Sequence, residues 1–78
     1  MHIDLLSEAC IGSVCEIVSV DLPCTIRSRL FELGFLPGSL IKAAICAPSG
    51  ETLAFWVKGA MIALRKKSCK KIAVKFLE

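Results

Sequence analysis

The stretch RSRLFELGFLPGS, Arg27–Ser39, has the form of a helix end followed by an abrupt turn, with Phe35 and Leu36 set between Gly34 and the Pro37-Gly38 pair. Just upstream, Pro23 suits a first helical turn, where a missing N–H breaks no bond. Leu22, Ile26, Leu30 and Leu33 then recur at spacings of four, four and three residues. That spacing predicts one apolar stripe facing a core, with Cys24, Arg27, Ser28 and Phe31 turned away from it. Gly34 is placed to end the helix in the left-handed conformation, which costs glycine no Cβ clash. Only one such helical pattern occurs in the chain, so the remaining residues must supply most of the fold.

Working outward, those residues read as strands. GSVCEIVSV (12–20) is rich in β-branched residues and starts at a glycine, with Val14, Glu16, Val18 and Val20 on one face and Cys15, Ile17 and Ser19 on the other. After Gly38, Ile41, Ala43 and Ile45 alternate with Leu40, Lys42, Ala44 and Cys46. APSG (47–50) is a turn by composition, and ETLAFWVK (51–58) returns with Leu53, Phe55 and Val57 on one face and Thr52, Ala54, Trp56 and Lys58 on the other. Gly59 interrupts, MIALR (61–65) resumes, KKSCK makes a tight turn, and KIAVKFL (71–77) sets Ile72, Val74 and Phe76 against Ala73, Lys75 and Leu77. Five short strands with a helix between the first and second predict a small closed or partly closed barrel, because closure removes the exposed strand edges of an open sheet. The N-terminal Ile3, Leu5 and Leu6 are expected to pack across an open end.

Size and composition agree with a single domain over residues 1–78. A chain of 78 residues has no room for a second core, and 55% apolar with 22% charged residues is the balance of a folding protein. The longest apolar runs, LAFWV, AAICA and AMIAL, fall far short of the roughly 20 residues that span a bilayer or the 7–15 of a signal peptide. The expectation is a chain with no direct membrane insertion and no export signal. Five cysteines form no C-x-x-C pair and no even framework, which suits a reducing, cytoplasmic setting.

The chemistry-bearing residues are few. There is no G-x-x-x-x-G-K and no G-x-G-x-x-G, and the one histidine, His2, has no third group to orient it in a Cys-His dyad. No catalytic or cofactor-binding residue is therefore assigned, and an enzyme is not expected. Cys10, Cys15 and His2 come nearest to a transition-metal set, yet free cysteines more often pack as small hydrophobes. No residue is assigned as a metal ligand; a metal bound here would be adventitious or shared between chains. Arg65, Lys66, Lys67, Lys70, Lys71 and Lys75 concentrate the chain's positive charge near its end, an arrangement that most often forms a solvated face. An RNA-binding barrel would need aromatic platforms beside that charge, and there is no tyrosine. What remains is protein binding. Phe31, off the buried stripe, with Phe35 and Leu36 in the following loop, would make a compact apolar surface flanked by Arg27 and Arg29. A hydrophobic contact past the helix end would instead turn Phe35 inward, and the residues alone leave both open.

Gly12-Ser13, Ile17-Val18-Ser19, Arg29-Leu30-Phe31-Glu32-Leu33-Gly34-Phe35-Leu36-Pro37-Gly38, Ala47-Pro48 with Gly50, Lys58-Gly59 and Ala63-Leu64-Arg65 together resemble the FeoA family over about residues 5 to 76. The resemblance implies a mainly β, five-stranded SH3-like barrel with one short helix. It also implies a small cytoplasmic accessory protein of ferrous iron uptake that binds the cytoplasmic part of the FeoB membrane GTPase transporter and modulates its transport or nucleotide cycle. The same domain type ends DtxR-like metal-dependent repressors, so a metal-responsive regulatory module is the alternative within that resemblance, as RNA binding is outside it. The chain departs from the family in placing Leu40, Ala44, Ile45, Cys46 and Trp56 where charged residues are common, which leaves self-association open. Cys10 and Cys69 stand where proline and alanine are common and look like small apolar replacements.

Overall fold

The computed structural model describes residues 3–77. Its elements are β1 (Asp4–Leu5), a 3-10 turn (Leu6–Glu8), β2 (Val14–Val20), α1 (Cys24–Glu32), β3 (Leu40–Cys46), β4 (Thr52–Val57), β5 (Ala60–Arg65), α2 (Lys66–Cys69) and β6 (Ile72–Leu77). The strands form one antiparallel sheet in the order β1-β6-β2-β3-β4-β5. There are six strands where the sequence predicts five. The extra one, β1, is a two-residue pairing of Asp4 with Val74 and Leu5 with Ala73, too short to leave a periodic signal. KKSCK is a single helical turn, as its composition suggests.

The sheet wraps around one core that includes Leu6, Cys15, Ile17, Val20, Ile41, Phe55, Val57, Cys69, Ile72 and Val74. Of the three N-terminal apolar residues expected over the barrel end, only Leu6 is buried; Ile3 and Leu5 remain exposed. Two strands change phase partway. In β2 the pairing runs from Ile17–Val74 to Ser19–Ala73, so Val18 is an extra residue and Val20, rather than Ser19, points inward. In β3 it runs from Ala43–Phe55 to Ile45–Ala54, and Ile45 is thrown outward to 53% exposure. Strict alternation along 41-43-45 predicts an inward Ile45, and the bulge at Ala44 corrects it. Such bulges bend and twist a strand, which is how a short sheet curls around a core this small. In β4 and β6 the predicted inner faces hold, with Leu53, Phe55, Val57, Ile72 and Val74 inside, although Ala54 on the opposite face of β4 is buried too and Phe76 is only partly covered.

Val57 and Ala60 close the β4–β5 hairpin through a two-residue loop, Lys58-Gly59. Both have positive φ, 50° and 83°, the type I′ geometry that matches the twist of the flanking strands. Lys58 is the only non-glycine with positive φ among the described residues.

Candidate functional site

Helix α1 carries the features that the sequence marks as a binding surface, but it is held differently from the predicted stripe. A nine-residue helix is too short to persist alone in water, and α1 has neither a side-chain N-cap bond nor an acidic residue in its first turn. Its anchorage is tertiary. Leu22, just before the helix, and Leu30 are buried, while Ile26 and Leu33 are 45% and 48% exposed. The expected four-residue contact is therefore reduced to its alternate members. Phe31 is 37% exposed, less than the two stripe residues that periodicity assigns to the core. Periodicity reports which side of a helix is apolar; it does not report how much of that side a small barrel can cover.

The end of α1 is fixed by a complete Schellman motif. The Gly34 N–H donates to the Phe31 carbonyl at 3.0 Å and the Phe35 N–H to the Leu30 carbonyl at 2.9 Å, with Gly34 at φ +93°. The apolar contact that accompanies this motif brings Phe35 in beside Leu30. Phe35 is fully buried, its ring edge-on to Phe55 with centroids 6.4 Å apart and planes at 63°. That corrects one expectation: Phe35 cannot offer a contact to a partner, because the helix cap and the core both claim its ring. Pro37 and Gly38 form the next turn, the Ser39 N–H donating to the Leu36 carbonyl at 3.0 Å. Two further bonds, Gly38 N–H to Ile17 carbonyl and Ile17 N–H to Ser39 carbonyl, pin that turn to β2. Leu36 is half-buried at its corner, and Arg27 and Arg29 are exposed on α1.

The fixed segment thus presents Phe31 on one side of Leu30 and Ile26 with Leu33 on the other, since residues advance about 100° around a helix. Ile26 and Leu33 are the surface residues that the sequence pattern hides. Lys58 also belongs to this neighbourhood: a Cβ on Gly34 would lie 2.9 Å from the Lys58 Cδ, so the lysine stem rests on the helix end. Its cation there complements the partial negative charge of the helix C-terminus. A second apolar area lies on the outer face of the sheet, where Lys42 pairs with Trp56 and Trp56 with Met61, near exposed Leu40 and Ile45.

The described residues do not fit a metal centre. No group of three or more His, Cys, Asp and Glu comes together among them. Cys15 and Cys69 are buried, and burial pushes each thiol up to about 11, slightly offset at Cys69 by a backbone hydrogen bond, so both stay protonated and poorly suited to ligation. Cys69 is a small core residue as expected, whereas Cys10 is exposed and not a core replacement. His2 lies outside the described residues. The aromatic platforms of an RNA reader are not gathered either: Phe35 and Phe55 are buried, and no aromatic side chain lines the basic concavity near the chain's end.

Fold and site together define a small SH3-like barrel that offers an apolar, arginine-flanked surface and no assembled catalytic group among the described residues. A model of the FeoA domain matches residues 5–76, and the chain belongs to the FeoA family. It is 31% identical over 72 residues to the Fe(2+) transport protein A/Fe(2+) transporter FeoB fusion protein of Porphyromonas gingivalis, covering 92% of this chain and 8% of that one. It thus spans a small fraction of that relative. Among solved structures, the FeoA protein of Chlorobium tepidum superposes with a TM-score of 0.92 at 29% identity, over 96% of this chain and 71% of that one. The FeoA of Stenotrophomonas maltophilia, solved with zinc and described as an SH3 domain protein, gives 0.76 at 33% identity over 92% and 89%. The T. acidophilum IdeR shares the fold alone, at 0.80 and 20% identity over 95% of this chain and 34% of that one. No helix is long and apolar enough to cross a membrane among the described residues.

Proposed function

We propose that this chain is a non-catalytic cytoplasmic adaptor of ferrous iron uptake, docking through α1 and the following turn onto the cytoplasmic part of a FeoB-like transporter and modulating its transport or nucleotide cycle. The observation that carries the reading is the apolar surface that α1 leaves uncovered on the two sides of buried Leu30, Phe31 on one and Ile26 with Leu33 on the other, its end fixed by the Schellman motif and flanked by Arg27 and Arg29. A surface fixed before binding loses little conformational entropy on contact, and aromatic and arginine side chains commonly anchor interfaces. A FeoA–FeoB fusion in a relative supports the choice of partner, since fusion keeps two interacting modules at high effective concentration. On this reading the chain contributes contact and any nucleotide chemistry belongs to the transporter.

The test is binding of the purified chain to the cytoplasmic part of a FeoB from the same source. Phe31→Asp, Leu33→Asp and Leu36→Asp each place a charge in the proposed contact, and folding is checked by circular dichroism. Each folded variant is expected to lose at least about tenfold in affinity, the cost of burying an unpaired charge. Undiminished binding by all three would remove this surface from the reading.

A further inference from the structure

A concave site lies between the end of the β3–β4 turn and the start of α2, and none of its lining residues belongs to α1. It encloses about 450 Å³ and is lined by Gly50, Glu51, Thr52, Arg65, Lys66, Lys67 and Lys70. That volume falls in the range of about 300–1,000 Å³ typical of small-molecule sites. The walls are tied together by backbone. Thr52 and Arg65 are cross-strand partners, and the Lys66 N–H donates to the Glu51 carbonyl at 2.8 Å. Four cations therefore converge from one short segment on a floor fixed by the β4–β5 pairing.

Their charge is not neutralised. Among the described residues none of the four has a carboxylate within ion-pair distance; the recorded ion pair, Lys75 with Glu16 at 3.8 Å, lies elsewhere. Four cations against the single carboxylate of Glu51 leave a local excess of three, as large as the net +3 of the whole chain. The rest of the surface is balanced, and the field is focused in a concavity rather than spread over a face. The donors are mixed: Arg65 offers a planar fork that matches two phosphate oxygens, the lysines offer point charges, and Thr52 offers a hydroxyl. The lining holds no aromatic ring, so nothing there would stack on a base.

We infer that this concavity binds a phosphate-rich anion, a di- or triphosphate group, through Arg65, Lys66, Lys67 and Lys70, and reads the phosphates without reading an attached base. Carboxylates carry less charge per volume and would leave part of this cationic set unpaired, which favours phosphate as the occupant.

Amide chemical shifts followed during titration with inorganic triphosphate test the inference. Saturable shifts confined to residues 50–52 and 65–70 are expected, with an affinity that falls steeply as salt is added. An Arg65→Gln/Lys67→Gln double variant should bind at least about tenfold more weakly, as expected for lost charge-assisted hydrogen bonds. Lys42→Gln/Lys75→Gln, which removes as much charge elsewhere, should bind as the unmodified chain does. Nucleoside triphosphates should match the bare ion, and vesicles of anionic phosphatidylglycerol should compete no better than neutral phosphatidylcholine vesicles. Shifts that never saturate, an equal loss in the control pair, citrate binding as tightly as triphosphate, or capture by anionic vesicles without any response to the free ion would each overturn it.

Discussion

Phe31 and Phe35, four positions apart, are expected to respond oppositely to truncation, and the comparison tests how the site is built. Phe35 is fully buried against Phe55 and Leu30, so Phe35→Ala removes a whole core ring and the contact that accompanies the helix cap. Buried Phe→Ala changes cost about 3–5 kcal/mol. At about 0.05–0.15 kcal/mol per residue, 78 residues give a total stability of only about 4–12 kcal/mol. The variant should therefore melt at least about 12 °C lower, at about 4–8 °C per kcal/mol, or fail to fold. Phe31 is already 37% exposed, which leaves about 75 Å² of a ring of about 200 Å² still in water. Covering that area with a partner would contribute about 2 kcal/mol, so Phe31→Ala should keep its fold and lose about 25-fold in affinity for the cytoplasmic part of FeoB. Thermal melting by circular dichroism and titration calorimetry read the two effects. A Phe35→Ala variant that melts within about 2 °C of the unmodified chain would refute the buried cap contact. Unchanged binding by Phe31→Ala would refute the docking surface.

Two further predictions follow from the helix end and the thiols. Gly34→Ala imposes φ +93° on a residue with a Cβ and brings that carbon to 2.9 Å from the Lys58 Cδ. The lysine stem can swing away but the backbone strain remains, so a loss of about 1–3 kcal/mol in urea unfolding is expected, and adding Lys58→Ala should recover only a minor part of it. Cys10, Cys24 and Cys46 should react with a thiol reagent at neutral pH while Cys15 and Cys69 react only on unfolding. For the buried pair the folded values, about 11, exceed the ordinary 9.0, so the native state holds its thiol protons longer than the unfolded chain does. Their contribution to stability is then complete below about pH 9 and falls as pH rises toward 11. Replacing both with alanine should flatten that alkaline decline in pH-dependent unfolding; a decline of unchanged steepness would refute the assignment.

The one-dimensional pattern was sufficient wherever a single local rule acted without competition. Gly34 as the helix stop, Pro37-Gly38 as the turn, and the inward faces of β4 and β6 are each set by φ preference or by alternation, and neighbours in space did not have to vote. The family could be read from the same segment, because its glycines and prolines occupy positions that only those residues fill cheaply. The choice for Phe35 could not be read there. A helix cap and a loop tip are both consistent with its place in the chain, and the space left beside Leu30 and Phe55 decided it.

Tertiary structure also decided where periodic patterns stop being obeyed. The bulges at Val18 and Ala44 are invisible in the residues because the extra residue is placed by the curvature with which the sheet wraps the core, and they turn Val20 inward and Ile45 outward. Ile26 and Leu33 have the spacing of core residues and remain about half exposed, while Leu22 before α1 and Phe35 after it are buried. The sequence by itself determined that α1 has an apolar stripe and that basic residues gather between 65 and 71. Only the fold decided that half of the stripe is left open and that four of those cations face one concavity, since burial and convergence depend on which segments meet, a property of the packed chain and not of any stretch of it.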